Sequence, residues 1–276
     1  MMGGDALGMS SRKPRRQHSP TSPRRSEPSR RRQPTGAGPV VTPTILFEDD
    51  DLIVAVKPAG LATANVPRGQ ESLLTWLQNR KAGQKAGERA PGPPVFLGVV
   101  SRLDQPVSGV VVVAASRKAA ASLSEQFRER TVQKTYHALI EGRFPGPVGG
   151  TATWTDLLER PPAGSGDVAE AARPQEAVVE ATLLARGVEV SLVQLLPQTG
   201  RRHQLRAQLG SRKCPIVGDR LYGSRLPFPQ GIALHSSGLA LDHPSTGERL
   251  TFRADWPSTW RQAARGLVLP AAAASP

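Results

Sequence analysis

Asp104 is the residue in this sequence that most invites chemistry. It stands in VVSRLDQPVSGVVVVA, residues 99–114, separated from Arg102 by one leucine and followed by a run of valines. A carboxylate against apolar walls stays ionised only with a cation beside it, because desolvation alone raises its pKa. Arg102 and Arg206 are the candidates, since a guanidinium can bind a carboxylate through two nitrogens at once. Arg102 has a second reading, as a residue facing a phosphate or a nucleobase. The plainer account of Asp104 is a turn residue hydrogen-bonded to its own backbone.

Three further polar islands interrupt apolar stretches: Lys134 to Tyr136, Gly200 to Arg206, and Gly218 to Gly223. Tyr136, one of two tyrosines, is either a core aromatic with its hydroxyl at an edge or a platform for a base. Its hydroxyl could also move a proton. GRRHQLR sets a glycine and several cations at a helix start, which offers N–H groups and charge to a phosphate. GDRLYG reads as a glycine-bounded turn. His137, His203, His235 and His243 match no tight zinc spacing. Asp49, Asp50 and Asp51 read as a solvated turn, since no calcium-ligand pattern follows them.

The charge points to a polyanion. Net charge is +13, of which residues 1–40 carry +7, with nine Lys/Arg against two acids, and the remainder carries +6. A basic excess shared by tail and body favours nucleic acid as a partner. The only cysteine, Cys214, rules out a disulfide framework and suits a reducing cytoplasm. No apolar run approaches the roughly 18 residues of a membrane span, and no signal-peptide core is present.

These residues need elements to hold them. Residues 1–40 are Arg, Ser and Pro with few large apolar side chains, so they are expected to be a disordered basic tail. Order is expected over 44–260, with a frayed tail over 261–276. ILFEDDDLIVAVKPAG reads as strand, turn, strand, and ESLLTWLQNR as a short helix with Leu73, Leu74 and Leu77 inward. KAGQKAGERAPGPP reads as a loop. Gly109–Ala115 reads as a buried strand, and Ser116 as the N-cap of a helix whose Ala119, Leu123 and Phe127 share a face. KTYHALIEGR and TATWTDLL follow as strands, then a Pro/Gly-rich loop over 160–175. EAVVEATLLARGVEVSLVQLLP reads as a hairpin turning near Arg186 and Gly187. A short helix follows Gly200 and closes at Gly210, and the HPSTG turn joins a last hairpin. Mixed, non-alternating strands and helices predict an α+β fold.

The islands together resemble the RluA-type RNA pseudouridine synthases. SRLDQPVSGVVVVA is similar to their HRLDxxTSGLLLLA, VAVKPAGL to their KPAG segment, and KTYHALIEG to KxYxAxVxG. TGRRHQLRAQL is similar to GRTHQ(I/L)RxH, PIVGDRLYG to PxxGDxxYG, and LHSSGLALDHPSTGE to LHAxxLxFxHPxTGE. Order and spacing agree from about Ile45 to Pro257. The resemblance implies conversion of uridine to pseudouridine in ribosomal or transfer RNA, without metal, nucleotide or organic cofactor. Asp104 matches the essential aspartate, Tyr136 the tyrosine that stacks on the base, and Arg206 the basic partner of the acid. Leu205 matches the apolar residue shaping the pocket, and Arg102 the arginine that fills the space of a flipped base. Arg201 and Lys57, from the GRRHQLR and KPAG motifs, complete the expected RNA contacts.

The implied architecture is a mixed, largely antiparallel sheet split by a central cleft, with helices on one side. Asp104 would lie on a loop at the cleft floor, Tyr136 on a strand and Arg206 on the short helix. A monomer is expected. The chain departs from its relatives at Val56, Ser101, Val107, Arg202 and Gln208, all beside the matched chemistry. One alternative is a descendant that binds or remodels RNA with little catalysis. A glycoside hydrolase would need two flanking carboxylates, and only Asp104 has a supporting constellation.

Overall fold

The computed structural model describes residues 42–86, 95–159, 173–264 and 266–267. The expected tail over 1–40 and most of the 160–175 loop lie outside the described residues. In chain order the elements are β1 (Thr44–Glu48), β2 (Leu52–Lys57), α1 (Leu73–Ala86), β3 (Gly98–Val99), β4 (Ser108–Ala114), α2 (Arg117–Glu129) and β5 (Gln133–Glu141). Then come β6 (Thr151–Leu158), β7 (Gln175–Arg186), β8 (Val190–Pro197), α3 (Gln204–Ser211) and a 3-10 turn at Arg220–Tyr222. β9 (Leu234–Asp242), β10 (Arg249–Arg253) and α4 (Thr259–Ala263) complete the chain. The α+β class expected from the sequence is the one observed.

The strands form one ten-stranded sheet, ordered β1-β2-β4-β9-β5-β8-β7-β6, with β3 on β4 and β10 on β9. All pairings are antiparallel except one, β4 with β9, which meet in parallel only at Ser108–His235 and Gly109–Ser236. This short parallel seam joins the two halves of the sheet. It exists because Gly109 has no side chain: its φ is +121°, and a Cβ there would stand 2.2 Å from the Ser236 carbonyl oxygen.

Alternation along the valine run gives the sheet two apolar faces. Val111 and Val113 join Ile53, Ala55 and the α1 residues Leu73 and Leu77 in one core. Val110 and Val112 join Leu52, Val54 and the α2 residues Ala119 and Leu123 in another. The helices therefore lie on both faces of the sheet, not on one side. A strand buried throughout needs cover above and below, and β4 is buried at every position.

Three local expectations also change. α1 runs to Ala86, where a loop from Lys81 was expected. At the start of this extension Arg80 pairs with Glu48, and Lys81 Nζ lies 3.5 Å from the same carboxylate. Gly210 sits inside α3, which ends at Ser211, and the left-handed residue is Lys213 at φ +58°. Gly210 is small because a Cβ there would approach Tyr222 Cβ at 3.0 Å. Past Trp260 α4 continues to Ala263 and Leu267 packs on the core, while the rest of the tail expected over 261–276, from 268 on, lies outside the described residues. Ser116 caps α2 as expected, accepting from the Ala119 N–H at 3.1 Å.

Candidate active site

A cleft of about 710 Å³ opens over the β4–β9 seam and takes its walls from both cores. Val110 and Leu239 come from one core, and Leu103, Val107, Leu205 and Leu234 from the other. Asp104, Tyr136, Arg206, Arg102, Leu205 and Arg201 all line it. Of the residues expected at the site, Lys57 alone does not.

Asp104 lies on the loop entering β4, and its conformation is set by the segment after β2. Thr63 Oγ1 donates to the Leu103 carbonyl at 2.9 Å and accepts from the Leu103 N–H at 3.1 Å. The Gly60 N–H donates to the Gln105 carbonyl at 2.8 Å, and Ile232 N–H holds the Pro106 carbonyl at 3.1 Å. With the loop bound on both sides of the acid, its carboxylate projects into the cleft with 28% of its side chain exposed.

Lys57 belongs to this support and not to an RNA-facing surface. It is 0% exposed, and its ammonium donates to the carbonyls of Pro58 (2.9 Å), Leu61 (2.6 Å) and Gln105 (3.3 Å). Three converging carbonyls solvate the charge in place of water. Burial pushes its pKa down to about 7, with Asp104 opposing the fall.

Arg206 meets Asp104 from α3, its Nη1 3.1 Å from Asp104 Oδ2. Its Nε and Nη2 donate to Asp219 at 2.6 and 2.9 Å. The guanidinium is 7% exposed and Asp219 only 1%. Burial works against the arginine's charge, but the two carboxylates overcome it and raise its pKa. Tyr222 lies against the other side of this group, with the guanidinium carbon 5.1 Å from its ring centroid. A carboxylate held this way is oriented before any ligand arrives.

Tyr136, on β5, faces the same cleft, with its phenol pushed up to about 12 by burial. Ser236, opposite it on β9, pulls the other way. The hydroxyl is therefore protonated at neutral pH. Arg102 is exposed at the rim, while Leu205 is buried at 7% exposure beside Arg206. Arg201 Nε donates to the Glu176 carbonyl at 3.0 Å, which leaves its other nitrogens to the cleft.

Asp219 and His203 are site residues that the sequence reading missed. Asp219 lay in an island read as a turn, and no local pattern ties it to Arg206. The available signal was arithmetic: an arginine has five N–H donors, so one carboxylate cannot satisfy it when buried. His203 takes the left-handed position before α3 at φ +55°, with Nε2 3.6 Å from Asp104 Oδ2 and Nδ1 3.1 Å from the Tyr222 hydroxyl. Burial, and the arginines at 206 and 202, lower its pKa against the pull of Asp104.

Three of the five departures, Val56, Val107 and Gln208, have local accounts. Val107 is 2% exposed within the core, where a hydroxyl would need a partner. Gln208 donates to Asp156 at 2.7 Å and to the Ala177 carbonyl at 3.1 Å, tying α3 to β6 and β7. Val56 pairs with Val110 in the β2–β4 register. Nothing in the structure explains Ser101 or Arg202.

Comparison with known proteins shows the family. The family model for RNA pseudouridylate synthase matches residues 51–211. The tRNA pseudouridine synthase C of Yersinia pestis is 33% identical over 240 residues, 79% of this chain and 88% of that protein. The dual-specificity RNA pseudouridine synthase RluA of Escherichia coli (strain K12) is 32% identical over 216 residues, 76% of this chain and 91% of that protein. A solved structure, human RNA pseudouridylate synthase domain containing 4, superposes with a TM-score of 0.63 at 27% identity, covering 82% of this chain and 94% of that one. The match spans the acid's loop, the tyrosine's strand and the arginine's helix alike, and the chain belongs to the RNA pseudouridylate synthases, isomerases that convert uridine to pseudouridine within RNA.

Proposed function

We propose that Asp104 is the catalytic aspartate of this isomerase, with Arg206 as its partner and Tyr136 as the platform for the target base. The observation that carries this reading is the Arg206 guanidinium, which bridges a buried acid and a cleft-facing acid, at 2.6 Å from Asp219 and 3.1 Å from Asp104. C1′ and C5 of a uridine are out of reach inside a stacked helix, so the base must swing out into the cleft. Asp104 then acts at C1′ as the C1′–N1 bond breaks. Uracil turns over the Tyr136 ring, C1′ bonds to C5, the C5 proton leaves, and N1 ends with a proton. Every atom of the uridine is kept, so the reaction needs no oxidant or co-substrate. Arg102 enters the space left by the base, Leu205 walls the pocket, and Arg201 contacts the backbone.

The substrates we infer are transfer or ribosomal RNA, the classes named for its relatives. We place the enzyme in the cytoplasm as a monomer. Its one cysteine is a buried thiol suited to a reducing compartment, and one chain supplies every wall of the cleft. Among the described residues no helix is long and apolar enough to cross a membrane.

The test is to incubate wild type and Asp104→Asn with RNA from cells lacking the gene and map pseudouridine by chemical-modification sequencing. New sites with wild type and none with the variant are expected. No new site with wild type sinks the enzyme reading and leaves an RNA binder. Full activity in Asp104→Asn sinks the assignment of the acid.

A further inference from the structure

Two cations on the cleft wall have no work in the scheme above. Arg130 ends α2 in the left-handed region, with φ 62° and ψ 25°. That conformation is cheap for glycine and costs an arginine more, and here the cap's own N–H donates to the Gln126 carbonyl. Lys134 is the second residue of β5 and half-buried, and its Nζ donates to the Thr199 carbonyl at 3.1 Å. Both residues line the cleft.

The two charges are left uncompensated. Among the described residues, the ion pairs include neither Arg130 nor Lys134. Neighbouring Arg128 differs, being paired with Glu125. The Arg130 charge is close enough to Lys134 that, after burial, it is the next cause lowering the lysine's pKa to about 8. Two like charges on one cleft wall, Arg130 exposed and Lys134 half-buried, repel each other, and an anion that meets both offsets that repulsion. Lys134 has used one of its three donors and the Arg130 fork has five.

Position identifies the anion. Lys134 and Tyr136 are two residues apart on one strand, so their side chains leave the same face roughly 6.6 Å apart. A nucleotide whose base lies on Tyr136 carries its phosphates within that reach. We propose that Arg130 and Lys134 form a phosphate subsite that grips the RNA backbone beside the uridine lying on Tyr136. This rests on the reading of Tyr136 as the base platform, and it adds a backbone contact on the α2–β5 wall that the acid, arginine and tyrosine do not supply.

The experiment measures binding of a fluorescent oligouridylate to the full chain across a salt titration, for wild type, Arg130→Gly, Lys134→Met, Lys134→Arg and the double variant Arg130→Gly/Lys134→Met. Arg130→Gly and Lys134→Met each weaken binding about tenfold, the effect of losing one charged hydrogen bond. The double variant lowers the slope of log affinity on log salt by about 0.7, the value for one phosphate on a single strand. Lys134→Arg keeps the wild-type slope. A double variant with the wild-type slope overturns the subsite, and a fall of about 1.4 overturns the sharing of one phosphate. Arg130→Gly separates binding from folding, since glycine suits the backbone there and its thermal midpoint is expected at or above wild type. If Lys134→Met does not fold, Arg130→Gly and Lys134→Arg carry the test. Oligouridylate binding does not depend on isomerisation. A wild type that makes no pseudouridine but shows the slope change therefore loses the enzyme reading and keeps the subsite.

Discussion

Asp219 holds Arg206 more firmly than Asp104 does. It accepts from Nε at 2.6 Å and Nη2 at 2.9 Å, leaving Nη1 for Asp104 at 3.1 Å. The paired donors fix the guanidinium plane, and the third nitrogen then fixes the acid in the cleft. The order of control runs from a wholly buried carboxylate, through a buried cation, to a partly exposed carboxylate. The cleft-facing acid is oriented by a residue that is itself only 1% exposed.

Asp219 is therefore expected to govern rate more than RNA affinity. Asp219→Asn keeps shape but loses the charge that fixes Arg206, and turnover should fall about a hundredfold, in the range typical of losing a preorganising contact. RNA affinity should stay within about threefold. Asp219→Ala leaves a buried guanidinium short of a partner and should cost about 3–5 kcal/mol of stability. Single-turnover kinetics, binding and urea unfolding decide this. Equal losses in rate and affinity for the asparagine variant would count against it.

Lys57 makes a pH-dependent prediction. Between about 7 and its ordinary 10.5, the unfolded chain keeps a proton that the folded chain has released. Unfolding free energy therefore rises with pH across that window. Lys57→Met cannot show this rise. Above the window's lower edge the variant should be less stable than wild type by about 1–3 kcal/mol, the cost of unsatisfied buried carbonyls. Toward pH 6 the gap should narrow, because wild type then buries a charge that methionine lacks. Urea titrations of both proteins from pH 6 to pH 9 read the difference, and a gap that is constant with pH refutes it.

The same lysine shows where a sequence stops being legible. Its motif placed it correctly at the end of a strand, but its surroundings come from Pro58, Leu61 and the distant Gln105. A charged residue in a basic protein reads as a surface cation until those carbonyls are seen to converge. Asp219 fails for the reverse reason, since a glycine-bounded loop hides an acid whose partner is on a helix. By contrast Asp104, Tyr136 and Arg206 stand out because each is a polar residue within an otherwise apolar motif, on the loop before β4, in β5 and in α3. The valine run was read correctly as buried, but a continuous apolar string does not say which helix covers which face. Only the alternation of Val110 and Val112 against Val111 and Val113 in the packed sheet does so.

Gly109 should tolerate no side chain. Its φ of +121° is in the region that disfavours one, and a Cβ would overlap the backbone of Ser236. Gly109→Ala must separate β4 from β9 at the one parallel pairing among the named strands of the described residues. That contact sets the distance from the Asp104 loop to the Tyr136 strand. A loss of at least about 3 kcal/mol, from strain and overpacking together, is expected in chemical denaturation. A folded Gly109→Ala protein with wild-type stability would show that the seam is not structural.

Tyr136 should enter the reaction as a neutral phenol, not as a phenolate formed before the substrate binds. Burial holds its phenol near 12, so almost none is ionised at neutral pH. Were phenolate the required species in the unliganded enzyme, kcat/KM would climb tenfold per pH unit through the neutral range. The expected profile from pH 7.5 to pH 9.5 has no such climb. Tyr136→Phe keeps the ring and should bind oligouridylate within about threefold of wild type, since stacking needs only the aromatic face. Tyr136→Ala removes the ring and should weaken binding by about 1–3 kcal/mol, the usual worth of one base stacked on an aromatic side chain. Turnover should fall in both, by about a hundredfold or more in Tyr136→Phe if the hydroxyl moves a proton at C5. A phenylalanine variant with wild-type turnover would confine Tyr136 to holding the base and assign the C5 proton to another group or to water.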